Sequence, residues 1–142
     1  MTANCEFCSG PGGVVLWQND LCRVVTAEEP GYPGFTRVIL NRHVRELSDL
    51  LPDQRRRFME VAFAVEAHVR EVLHPDKMNL ASLGNMTPHL HWHVIPRFAD
   101  DRHFPGPIWA AEKREGIVPA ERAARAATLA TSLPAALSGA GL

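Results

Sequence analysis

Cysteine is scarce, tyrosine occurs once, and long apolar runs are missing from these 142 residues, which carry three cysteines in all. Three thiols cannot all pair, and the chain is long enough to bury a core without staples. No stretch approaches the roughly 18–20 apolar residues that span a bilayer as a helix. The opening residues, MTANCEFCSG, have neither the charged start nor the apolar centre of a secretory leader. A formal charge of −1 is nearly balanced, so nothing marks a nucleic-acid or anionic-membrane surface. The expectation is a soluble cytoplasmic protein with neither a nucleic-acid nor a membrane partner. Its length suits one domain with a core of its own.

What the chain does have is histidine, and it concentrates three of its seven in HLHWHVIPRF, His89 to Phe98. Imidazoles alternate there with Leu90, Trp92 and Val94. Period-2 alternation is the signature of a half-buried strand. His89, His91 and His93 are expected on one face, with the three apolar residues against a core. Pro96, lacking an N–H, is expected to end the ladder.

Elsewhere VVLWQND (Val14 to Asp20) and LCRVVT (Leu21 to Thr26) read as a hairpin turning at Asn19-Asp20. EEPGYPG, Glu28 to Gly34, is a cluster of breakers and forces a loop. FTRVIL, Phe35 to Leu40, resumes a strand. Pro52 suits the first turn of a helix whose apolar stripe is Phe58, Val61, Val65, Val69 and Val72. His74-Pro75 stops it, MNLASL (Met78 to Leu83) is a further strand, and GNMTP turns the chain into the histidines. After about residue 116 the composition becomes Ala-rich. The sum is an α+β domain over residues 1–116, an antiparallel sheet of about five strands with one long covering helix. Residues 117–142 form a C-terminal helical extension.

Alternate histidines on a strand do not make one metal site. Residues two apart are separated by roughly 6.6 Å and four apart by about 13 Å, whereas zinc–nitrogen bonds are only about 2.0–2.1 Å long. The imidazoles must divide their labour. A neutral imidazole attacks phosphorus or acyl carbon, and a flanking one donates to developing negative charge. The Cys5-x-x-Cys8 pair suggests a metal clip or a redox pair in a reducing compartment. Trp92 and Cys22 read as core packing, and the run Arg55-Arg56-Arg57 as the wet face of a helix start. His68 reads as structural or exposed on that helix. His103 could approach a ligand from the C-terminal segment, and Trp109 could line the rim of a pocket.

HLHWHVI is similar to the His-φ-His-φ-His-φ-φ motif (φ apolar) of the histidine triad, or HIT, superfamily of nucleotide hydrolases and transferases. GFTRVILNRHVRELSDL, Gly34 to Leu50, resembles that family's strand, single His and acidic helix lead-in. Cys-x-x-Cys near the N-terminus occurs in many bacterial members. Pro88 to Trp109 resembles bacterial proteins labelled HIT-family or diadenosine tetraphosphate hydrolases. The segment before the triad, LGNMTP, is shorter than in many members, and Asn41 stands where a Pro is frequent.

The resemblance implies a homodimer with the HIT-like fold that cleaves a nucleoside phosphoanhydride, such as a dinucleoside polyphosphate, or a phosphoramidate. His91 would attack the α-phosphorus and form a covalent nucleotidyl-imidazole. His93 would donate to the α-phosphate or the departing bridging oxygen, and Asn85 and Thr87 would hold phosphate oxygens. A backbone carbonyl accepting from Nδ1–H of His91 would leave Nε2 free to attack. Glu28 and Glu29 lie in the loop where relatives bind ribose. A structural zinc on Cys5, Cys8, His43 and His89 is expected, because some bacterial relatives join these four positions around the ion. No catalytic cofactor is implied. A nucleotidyltransferase, a nucleotide-binding regulatory protein with little turnover, and a metal-dependent hydrolase remain the alternatives.

Overall fold

Five segments form strands: β1 (Val15–Gln18), β2 (Cys22–Thr26), β3 (Thr36–Leu40), β4 (Lys77–Ala81) and β5 (His91–Arg97). The computed structural model describes residues 4–142, so the leader comparison falls partly on residues outside the described ones. The strands pair antiparallel throughout, in the order β1-β2-β3-β5-β4. The β1–β2 turn lies where Asn19-Asp20 predicts it. Asn19 Oδ1 accepts from the backbone N–H of Leu21 at 2.9 Å and of Cys22 at 2.8 Å, a local bond that turns the chain.

A short first helix, α1 (Glu6–Ser9), precedes the sheet, and the long helix, α2, runs from Pro52 to Leu73. The Gln54 side chain reaches back to the Leu51 N–H at 3.1 Å, satisfying one of the donors a helix start leaves open. His74 ends α2 in the left-handed conformation at φ 49°, and Pro75 follows. Gly34, with φ +86°, brings β3 in directly over α2. A Cβ there would stand 2.0 Å from Leu73 Cδ1, so only glycine fits.

Alternation decides what each strand buries. Cys22 and Val24 of β2, Val38 and Leu40 of β3, and Val94 of β5 join Leu90 in the core beneath α2, where Phe58, Val61, Val65 and Val69 meet them. Trp92 packs against the same cluster. The C-terminal segment forms two helices, α3 (Ala120–Ala127) and α4 (Leu129–Gly139). Leu129, Leu133 and Leu137 of α4 are buried in that same core, and His68 of α2 meets Ser132 Oγ at 2.8 Å.

The opposite parity turns to the other face of the sheet. Val25 and Ile39 pack there with Cys5 and Phe7, and His91, His93 and Arg37 share that parity in the β3–β5 register. Two details differ from expectation. Leu90 still bonds to Val44 and Leu40 through its backbone, but β5 begins only at His91, so His89 lies just before the strand. Pro96 does not end the strand. It pairs with Met78 of β4, beyond the last β3 partner at Val94, where β5 has a neighbour on one side only and a missing N–H costs little.

Candidate active site and metal centre

A short turn, α1 (Glu6–Ser9), lies across the face of the sheet that carries the histidines. Arg23 of β2 holds it there, donating from Nη2 to Phe7 O at 2.7 Å and from Nε to Pro11 O at 2.8 Å. The turn brings Cys5 and Cys8 beside His43, which follows β3, and His89, which precedes β5. The four ligand atoms lie within 4.8 Å of one another. Cys5 Sγ is 3.3 Å from His89 Nδ1, Cys8 Sγ is 3.4 Å from His43 Nδ1, and the two Nδ1 atoms are 3.2 Å apart. Ligands around a tetrahedral zinc, with bonds of about 2.0–2.3 Å, stand roughly 3.3–3.8 Å from each other. The spacing therefore fits a four-coordinate ion.

The protonation pattern fits as well. His89 Nε2 contacts Leu40 O at 2.6 Å, and a carbonyl only accepts, so Nε2 carries the hydrogen and Nδ1 faces the thiols as a lone pair. Burial pushes the His89 imidazole down from its ordinary range, chiefly by desolvation. These four residues could hold a metal ion. The donor set, two thiolates and two neutral imidazoles, is one that suits zinc.

Beside that cluster lies a cavity of about 390 Å³ lined by His91 and His93. His91 Nδ1 contacts His89 O at 2.6 Å; the carbonyl again fixes the hydrogen on Nδ1 and leaves Nε2 with the lone pair. Burial, above all, lowers the His91 pKa, so the ring is neutral near pH 7. His93 meets His91 edge-on with ring centroids 4.7 Å apart. Desolvation above all, then repulsion from His91 whenever that ring is protonated and from Arg37, pushes His93 down to about 3. Its Nδ1 is buried without a partner.

Asn85 and Thr87 both line this cavity. The Thr87 hydroxyl donates to Glu6 Oε1 at 2.7 Å. Trp109 stands at the rim, its ring centroid 5.0 Å from that of His93. Glu6, Phe7 and Arg37 also line it, and sequence reasoning missed all three. The β3–β5 pairing, which sets Arg37 opposite His93, is the signal that identifies Arg37. Glu28 and Glu29 are not part of this cavity. They line a separate cleft of about 580 Å³ with Tyr32 and residues of α3 and α4.

His103 is not at the triad. Its Nδ1 lies 2.5 Å from Tyr32 Oη, next to Asp101. Of the arginine run, Arg56 pairs with Asp53 and Glu60 and Arg57 with Asp20, the solvated role expected of them. Burial pushes the Cys22 thiol up to about 12, as expected of an inert packing residue.

A profile of the HIT domain matches residues 12–100, well over half of the chain. The chain belongs to the HIT domain family. A histidine triad protein from Marinobacter aquaeolei shares the HIT fold with it at TM-score 0.74 and 28% identity, over 98% of each chain. A zinc-bound histidine triad family protein from Mycobacterium smegmatis, 22% identical, superposes at TM-score 0.63 over 97% of this chain and 96% of that one. Among curated proteins, an AP-4-A phosphorylase of Mycobacterium tuberculosis is 29% identical over 98 residues, 65% of this chain. The chain spans 50% of the length of that relative. The HIT match starts after the Cys pair and ends before Trp109, so α1 and the rim of the cavity lie outside it.

Proposed function

We propose that this HIT-family protein is a nucleotide hydrolase that cleaves a nucleoside phosphoanhydride or phosphoramidate through a covalent intermediate on His91. The observation that carries the reading is the Nδ1 contact to the His89 carbonyl at 2.6 Å. It orients the ring and leaves Nε2 as the free nitrogen of a residue that lines the cavity. Burial keeps that nitrogen unprotonated, the state a nucleophile needs. Water then releases the nucleoside monophosphate and restores the imidazole. His93, neutral, serves as a hydrogen-bond donor to the phosphate, and Asn85 and Thr87 hold its oxygens.

The name of the curated relative favours one variant. A phosphorylase uses inorganic phosphate where a hydrolase uses water, so the same nucleotidyl-imidazole would pass to phosphate. Product analysis in buffers with and without phosphate separates the two acceptors. His91→Ala tests the common step. It should lose about three orders of magnitude in turnover, roughly 4 kcal/mol of barrier, while still binding nucleotide.

The metal we assign is zinc, held by Cys5, Cys8, His43 and His89. Four protein ligands leave no position for water, so the ion stabilises the fold and takes no part in the chemistry. We also propose a homodimer. β4 is an edge strand, and Leu80 on it and Phe63 on α2 are exposed. A second copy would cover both and close an edge that otherwise invites aggregation. Two cysteines assigned to the metal and an unpaired Cys22 support our placing of the protein in a reducing, cytoplasmic setting.

A further inference from the structure

Among the described residues, Arg37 is the one Lys or Arg side chain lining the cavity with His91 and His93. The β3–β5 register sets it opposite His93, and directly opposed residues project from the same face of a sheet. Its guanidinium lies 5.3 Å from the Phe35 ring centroid. Phe35 in turn meets His93 edge-on at 5.7 Å. The side chain is half-buried, yet no ion pair involves it among the described residues. Its Nε is buried without an acceptor. The carboxylates whose fields reach it are Glu6 and Glu29, and Glu6 already accepts the Thr87 hydroxyl.

Removing a cation from water without an anion is costly. A guanidinium offers five donors in a fixed fork that matches phosphate oxygens two at a time. An incoming phosphate would supply both the missing charge and the missing acceptors.

We propose that Arg37 binds a phosphate of the leaving group and thereby selects phosphoanhydrides over phosphoramidates. The inference rests on nucleotidyl transfer to His91. In that step His91 Nε2 bonds to the α-phosphorus while the bridging P–O bond breaks. The leaving phosphate chain departs with the electron pair as an oxyanion. Water then attacks phosphorus, the P–N bond breaks, the imidazole recovers its lone pair, and the proton goes to solvent. The departing oxyanion needs a cation beside His93, where Arg37 stands. An amine leaving group needs a proton instead. His93, pushed down to about 3 chiefly by desolvation, is a poor source of one near pH 7.

The test compares wild type, Arg37→Leu and Arg37→Lys, each loaded with its metal, on diadenosine tetraphosphate and on adenosine 5′-phosphoramidate. Arg37→Leu should lose about a hundredfold in kcat/KM on the anhydride, and its loss on the phosphoramidate should be at least about tenfold smaller than that. Arg37→Lys should recover part of the loss, since the charge returns without the fork. Equal losses on both substrates, or no loss on the anhydride, would overturn the assignment. Binding provides a second readout that does not depend on turnover. Wild type should bind ADP at least about tenfold more tightly than AMP, and Arg37→Leu should erase that preference. If neither substrate is turned over but the preference exists and vanishes in the variant, the reading of His91 fails and that of Arg37 stands. Equal affinity of wild type for ADP and AMP would overturn Arg37 as a phosphate ligand.

Discussion

Replacing Asp101 with asparagine removes one buried charge and almost no volume. Arg97 and Asp101 are 2% and 4% exposed, and they pair through two bonds. Arg97 Nε donates to Oδ2 at 2.8 Å and Nη2 to Oδ1 at 3.0 Å. The same guanidinium donates to Asn79 Oδ1 at 2.8 Å and to Gly106 O at 2.7 Å. It thus ties β4 and β5 to the segment that leads to Trp109. Burial by itself pushes the Asp101 carboxyl up. Arg97 and the backbone N–H groups of His103 and Phe98 outweigh that and hold it down at about 2, against 3.8 ordinarily. At about 1.36 kcal/mol per pH unit, the carboxylate contributes roughly 2 kcal/mol. Asp101→Asn also strands the Arg97 cation, which moves the cost toward the roughly 3–5 kcal/mol of a broken buried pair. The folded pKa lies below the unfolded one. The contribution is therefore complete above about pH 4 and lost as pH falls through about 2. Urea unfolding of wild type and variant should show the gap at pH 7 with an unchanged m-value, narrowing in acid between those limits. A gap under about 0.5 kcal/mol at pH 7 would refute the reasoning, since that is the effect expected of an ordinary surface change.

Elemental analysis of protein purified without added metal should find about one zinc per chain. Cys8→Ser should release the ion and lower thermal stability while leaving turnover at His91 largely intact; metal-free wild type with unchanged melting in the variant would end the zinc assignment. Sedimentation at micromolar concentration should give about twice the 15.7 kDa chain mass, and charge placed on the exposed β4 edge by Leu80→Lys should shift the equilibrium toward monomer. A wild type that sediments as monomer would exclude the dimer.

Much of the site was legible because it obeys a local period. Alternation in His89 to Val94 sorts the imidazoles from Leu90, Trp92 and Val94, and the sheet keeps that sorting. The Cys5-x-x-Cys8 spacing and the strand before His43 likewise point to candidate metal ligands at the ends of elements, and the fold brings the four side chains into one cluster that could hold an ion. Arg37 was not legible as a site residue, because its position depends on which strand β5 pairs with and in what register. Glu6 and Phe7 reach the cavity only because Arg23 pins their turn to the sheet. Pro96 misled for a related reason. A missing N–H ends a strand flanked on both sides, but β3 stops at its pair with Val94, and no sequence pattern states where a neighbour stops. His103 looked available to a ligand until Tyr32, from a loop 71 residues away, met its Nδ1.

The central claim is that His91 carries the nucleotide during turnover, and trapping that species tests it most directly. Wild type mixed with diadenosine tetraphosphate, quenched in base within milliseconds and digested, should give a His91-containing peptide heavier by one adenylyl group. A phosphoramidate bond to imidazole breaks in acid, so the quench must stay alkaline. The modified peptide is expected to form together with released ATP, before AMP accumulates, and to decay as AMP appears. Rapid turnover with no adduct on His91, or with the adduct on another residue, would contradict the claim.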